Sequence, residues 1–302
     1  MSDVKIGIIG GTGLGQLLGD QQGTPHRLET PFGPTSDAVL ETQWDGLNVL
    51  LLGRHGPGHR FNPSQVPFRA NIFALKQLGC THILASGAVG SLRQEFAPRD
   101  LVLVDQLIDK TYRRANTFYE AAAVHVEFAD PFCPVLRGIL AAAAKEPAAG
   151  FNIHGDGCYV CMEGPAFSTR AESLMHRIWG GDVIGMTACP EARLAREAEI
   201  PYALIALVTD YDCWKSKPAP ANAPAPMDEA KLLDEIIGNV QAASANAMEL
   251  IRRALRIIAA DPGKLAACPA TGALKRAIWS DKAAIAREDI DKLAPLWGRY
   301  FG

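Results

Sequence analysis

The chain reads as an α/β layer protein. Three observations carry that reading. Apolar runs of strand length alternate with helix-like stretches. Polar and glycine clusters repeatedly follow the strand ends. The composition, 48 % hydrophobic and 21 % charged over 302 residues, is that of an ordinary globular chain large enough to bury its own core.

Each element has a local reason. Residues 4–10 form a short apolar run that ends in glycine, and 48–52 form another that ends at Gly53-Arg54-His55. Residues 68–78 are helix-like and stop at Gly79, a good C-cap. Residues 82–86 run into Gly87-Ala88-Val89-Gly90, and 101–104 suit a buried strand. Residues 134–145 look helical, with proline tolerated in the first turn. Residues 183–186 read as strand and 191–199 as helix. Residues 202–208 form a strongly apolar strand ending at Thr209-Asp210-Tyr211-Asp212, and 228–258 form a long helical pattern. Residues 215–226 are a Pro/Ala run without regular structure, read as a loop over the site. The expected organisation is one domain over 1–260 and an extension of unknown role over 261–302.

Charge and segment composition exclude several functions. Thirty Lys+Arg against 33 Asp+Glu leave −3, without the basic surplus of a nucleic-acid binder. No apolar run is long enough to cross a bilayer, and the first residues lack the pattern of a signal peptide. Seven cysteines then suggest free thiols and a cytoplasmic location. Cys158-Tyr-Val-Cys161 has redox or zinc spacing but no companion pair, so buried strand cysteines are expected.

Ligands of open α/β sheets bind beyond the carboxyl ends of the strands. Five clusters lie there. Gly10-Gly-Thr12-Gly13-Leu-Gly15 breaks dinucleotide spacing, because Gln16 and Leu18 stand where glycine is required. That argues against a dinucleotide-dependent oxidoreductase. The turn still offers backbone N–H groups and the Thr12 hydroxyl to an anion, or is a tight turn only. Arg54 supplies a planar fork for phosphate oxygens and His55 a further hydrogen bond, or the two are a surface arginine and a structural histidine. Gly87, Ala88 and the hydroxyl of Thr187 add to the same inventory. Asp210 and Asp212 fall on one side of their strand if it stays extended, where burial with mutual repulsion raises at least one pKa, or they are solvated carboxylates in a turn. Phe167, in Glu163-Gly-Pro-Ala-Phe-Ser168, stacks on an aromatic ligand or packs in the core. No metal-ligand set accompanies these residues.

These segments, with Thr30-Pro-Phe-Gly33, Gly90-Ser-Leu-Arg93, Asp130-Pro-Phe-Cys-Pro134, Arg170-Ala-Glu-Ser173 and Thr209-Asp-Tyr-Asp-Cys-Trp214, resemble the trimeric purine nucleoside phosphorylase family over about residues 4–258. The resemblance implies a three-layer α/β sandwich around a mixed, partly barrel-like sheet, assembled as a homotrimer with sites at subunit interfaces. It implies phosphorolysis of 5′-methylthioadenosine to adenine and 5-methylthioribose 1-phosphate, in purine and methionine salvage. The alternative is a broad or 6-oxopurine preference, for inosine or methylthioinosine. Inorganic phosphate is a co-substrate, and no cofactor is implied. Thr12, Arg54, His55, Gly87, Ala88 and Thr187 fall at phosphate positions. Met186 falls at the ribose; Phe167 and Ser168 flank the base. Asp210 and Asp212 match the aspartates that read a 6-aminopurine, with Asp210 as general acid. His125 matches a histidine reaching a neighbouring subunit's site, and Met227 and Ala230 fall around the methylthio group. Gly87 stands where these relatives carry threonine, and Met227 where valine is expected.

Overall fold

The computed structural model describes residues 4–145, 152–215 and 229–301. An 11-stranded mixed sheet runs through it. Its middle is parallel: Lys5–Gly10 lies between Leu47–Gly53 and His82–Ser91, and Tyr202–Tyr211 lies beside His82–Ser91. Antiparallel strands extend both flanks, Val39–Trp44 on Leu47–Gly53 and Leu101–Leu103 on Tyr202–Tyr211. A branch of Gln106–Asp109, Cys158–Cys161 and Val183–Gly185 joins the far end of His82–Ser91, where Val183 and Ile184 oppose Ser91 and Gly90. The expected mixed α/β architecture is therefore present.

Alternation along the strands builds two cores, one per face. Val49, Leu51 and Leu84 point to one; Leu50, Leu52, Ile83 and Ala85 point to the other. Helices Pro134–Ala144 and Glu229–Ala260 supply buried side chains to the first, and Phe68–Gln77 and Ala188–Glu197 to the second. The central strands are buried on both faces, which is why the sequence shows them as continuous apolar runs.

Residues 261–301 pack into both cores. Leu265 and Cys268 join the first, and Leu274, Ile290, Leu296 and Trp297 the second. Trp297 is 1 % exposed, its ring lies 4.8 Å from that of Tyr119, and its indole N–H donates to the Ile290 carbonyl at 3.2 Å. Buried Glu199 accepts from Leu274 N–H at 2.9 Å and Tyr300 OH at 2.7 Å and pairs with Arg299.

Two strands continue beyond their expected ends. His82–Ser91 and Tyr202–Tyr211 pair along their whole length, because each supplies the other's ladder, with an irregularity between Val208 and Asp210. The clusters read as turns at 86–91 and 209–211 are thus strand. Cys161 is buried as expected. Cys158 opens its strand and is only half-buried, and three residues of strand put the two thiols on opposite faces. Residues 216–226 of the Pro/Ala run lie outside the described residues.

Candidate active site

Parallel register brings three strand ends side by side. Gly10 pairs with Gly53, and Ile9 with Ala85, which puts Ser86 next in line. The glycine turn exists because the chain is crowded there. A Cβ on Gly11 would stand 2.6 Å from Arg54 Nη1 and 2.8 Å from the Ser86 carbonyl; Gly13 has φ +85°. Arg54 N–H donates to the Gly10 carbonyl at 2.9 Å. Thr12 is exposed at the crest of this turn. Across it, a Cβ on Gly87 would lie 3.4 Å from Thr187 Oγ1. The structure therefore gathers Thr12, Gly87 and Thr187 at the strand ends with Arg54 enclosed beneath the turn, and half-buried Ala88 follows on the strand.

Arg54 is 0 % exposed. Its Nε and Nη2 donate to the two carboxylate oxygens of Glu191, each at 2.7 Å, and Nη1 donates to the Ser86 carbonyl at 2.7 Å. Tyr202 OH donates to Glu191 Oε1 at 2.8 Å. His55 is buried, and its Nδ1–H donates to the Phe61 carbonyl at 2.8 Å, a tautomer assigned from that bond. Burial, with the Arg54 charge beside it, holds His55 down to about 4. It is neutral at pH 7, with Nε2 as an acceptor. Thr187 N–H donates to the buried Tyr159 OH at 3.3 Å.

The carboxylates stand farther along the same strands. Asp210 opposes Gly90, three residues beyond Gly87, or about 10 Å of extended chain. Burial pushes the Asp210 carboxyl above its ordinary range. The Thr209 hydroxyl, donating at 2.6 Å, pulls the other way, and the Asp212 charge adds to the rise. Asp212 Cβ lies 3.3 Å from where a Cβ on Gly90 would be, and its Oδ2 is buried without a partner among the described residues. Ser168 belongs to the same region, because Cys213 Sγ donates to its carbonyl at 3.3 Å. Phe167 beside it is 86 % exposed.

A second buried ion pair fixes Met186. Arg114 Nη1 donates to the Met186 carbonyl at 2.6 Å, and its Nε to Glu163 at 3.1 Å. Glu163 also accepts from Ser64 Oγ and from the N–H groups of Tyr112 and Arg113. These bonds outweigh its burial and hold it down to about 2.

His125 is exposed and apart from this cluster. It sits on an antiparallel bridge of Val124 with Ile278, and its ring lies 4.6 Å from that of Trp279, itself 71 % exposed. Ala230 occupies the start of the Glu229–Ala260 helix, and Met227 lies outside the described residues.

Sequence reasoning did not single out Glu191, Tyr202, Arg114, Tyr159 or Trp279. Glu191 stands 137 positions from Arg54, so no local spacing announces it. Among the described residues, no group of three or more His, Cys, Asp or Glu is placed to hold a metal ion. A cavity of about 500 Å³, lined by Val4, Lys76, His82, Glu199, Leu265 and Arg299 among others, contains none of the residues gathered above.

Residues 5–256 match the model of the phosphorylase superfamily. The S-methyl-5′-thioadenosine phosphorylase of Geobacter sulfurreducens is 46 % identical over 297 residues, 98 % of each chain. The protein of that name from Synechocystis is 43 % identical over 303 residues, covering 100 % of this chain and 89 % of its own. Among solved structures, a methylthioadenosine phosphorylase from an antarctic soil metagenomic library superposes with a TM-score of 0.83 at 40 % identity, covering 98 % of this chain and 99 % of its own. The Schistosoma mansoni methylthioadenosine phosphorylase in complex with adenine gives 0.80 at 35 % identity, over 91 % of this chain and 99 % of its own.

Proposed function

The chain belongs to the phosphorylase superfamily, and from that premise we propose that it converts 5′-methylthioadenosine and phosphate to adenine and 5-methylthioribose 1-phosphate. The observation that carries this reading is the half-buried Asp210 carboxyl, raised in pKa, on the strand that runs beside Gly87 and Ala88.

The chemistry follows from charge. Phosphate lies on the α-face of the ribose and attacks C1′. The glycosidic bond breaks ahead of that attack through an oxocarbenium-like state, so the leaving adenine gathers negative charge on its imidazole ring. Protonated Asp210 donates to N7 as general acid, which is the form that burial favours. The 6-amino group needs an acceptor, which the Asp210 side or main chain supplies, and Asp212 stabilises the proton. A 6-oxopurine would need a donor there instead, which disfavours inosine-type substrates. Thr12, Thr187 and the backbone at Gly87-Ala88 hold phosphate over the enclosed Arg54, and His55 Nε2 accepts from a P–OH of the monohydrogen phosphate. Met186 contacts the ribose, and Phe167 and Ser168 flank the base. The family resemblance assigns Met227 and Ala230 to the methylthio end. Inorganic phosphate is the second substrate, and acid catalysis by a side chain leaves no step that calls for a cofactor.

The assembly proposed is a homotrimer in which His125 reaches the 5′ end of a neighbour's nucleoside. Its exposure beside Trp279 supports that role. No described helix is long and apolar enough to cross a membrane. We place the enzyme in the cytoplasm, in purine and methionine salvage.

The test is base release from methylthioadenosine, adenosine, inosine and methylthioinosine, each with and without phosphate. Phosphate-dependent adenine release, fastest from methylthioadenosine, is expected. Preference for the inosine compounds would overturn the role of Asp210, and release without phosphate would make the protein a hydrolase.

A further inference from the structure

The fork of Arg54 is not free. Of its five N–H groups, two go to Glu191 and one to the Ser86 carbonyl, so one is left on each terminal nitrogen. Both members of the ion pair are enclosed, at 0 % and 1 % exposure. Tyr202, buried beneath, fixes the carboxylate through Oε1. Such a pair is a poor device for stability, because desolvating two charges offsets much of their attraction and apolar replacements are often neutral. It is a good device for geometry. A two-pronged carboxylate sets the plane of the guanidinium, and the Ser86 carbonyl sets its tilt under the Gly11 turn. The pair is also neutral as a unit and closed to solvent, so it shapes the strand ends packed against it rather than offering a free cation.

We propose that Glu191, braced by Tyr202, is the positioning residue of the phosphate subsite, fixing the enclosed Arg54 against the Gly10–Gly11 turn and the Ser86 carbonyl, the strand ends that would carry the anion. The inference rests on the phosphorolytic reading of that subsite. Glu191 touches no reacting atom; it acts through Arg54.

The experiment compares wild type with Glu191→Gln and the milder Tyr202→Phe, using inorganic phosphate in two readouts: steady-state kinetics with each substrate varied, and equilibrium binding by calorimetry. For Glu191→Gln, kcat/KM for phosphate should fall about 10- to 100-fold, the range for losing a hydrogen bond to a charged group. For Tyr202→Phe the same quantity should fall about 2- to 10-fold, less than for Glu191→Gln because the two Arg54–carboxylate bonds remain. KM for the nucleoside should stay within about twofold in both, since no contact to it changes. A phosphate KM equal to wild type in folded Tyr202→Phe, or a loss shared equally by both substrates, would overturn the proposal and leave Glu191 a structural residue. If Glu191→Gln does not fold, Tyr202→Phe decides alone. Wild type that releases base without phosphate yet binds phosphate more tightly than both variants would sink the phosphorolytic reading and spare this one.

Discussion

In the proposed reaction, substrate choice turns on one side chain, Asp210. Burial raises its carboxyl, the Thr209 hydroxyl opposes that and the Asp212 charge adds to it, so the protonated form is favoured more than in a solvated aspartate. Asp210→Asn keeps the size and removes the acid. Turnover of methylthioadenosine should fall by about two to four orders of magnitude, the usual contribution of a general acid. Turnover of inosine should fall less or rise, because the amide can donate to O6. Base release from both nucleosides checks this, and an equal, small loss on both would remove Asp210 from the acid's role. The candidates Arg54, His55 and Asp210 were legible because each stands at the end of an apolar strand with a residue type suited to anion or proton. Glu191 and Tyr202 were not, because what makes them matter is an ion pair closed by the fold across 137 positions.

Elements were legible in proportion to their burial. Leu47–Gly53 and Tyr202–Tyr211 announce themselves because both faces are covered. Val39–Trp44 passed unnoticed, since its middle, Glu41-Thr42-Gln43, looks like loop and only its ends are buried. The ends of His82–Ser91 and Tyr202–Tyr211 were placed too early because glycine and aspartate suggest turns. Tertiary pairing overrode that preference. The tail beyond residue 260 gave weak periodicity because 3-10 turns rather than long helices carry it, yet it seals a core. Trp297→Ala should cost about 3–5 kcal/mol, as for other buried large-to-small changes. A urea titration measures it. A loss below about 1 kcal/mol, typical of surface sites, would show the tail to be dispensable.

The described chain leaves large apolar groups outward: Phe167, Leu174, Ile178, Trp179 and Trp279. A trimer that shares its sites would use some of them. If His125 serves a neighbour, a His125→Ala variant and an Asp210→Asn variant, each nearly inactive alone, should regain activity once dissociated and reassociated together. Some sites would then draw both intact residues from different subunits. Verified mixed trimers without recovery would place His125 outside the shared site.

The strand order also has a cost in time. Leu101–Leu103 has Tyr202–Tyr211 and the two-residue Ile153–His154 as its partners, and the inner edge of His82–Ser91 waits for the same late strand. A ribosome adding roughly 5–20 residues per second needs about 5–20 s to supply the intervening stretch of about 100 residues. Throughout that interval the growing chain displays an apolar, unpaired sheet edge of the kind that recruits other strands. Slow translation lengthens that interval and should therefore increase the benefit of a holding chaperone, whatever the stability of the finished enzyme.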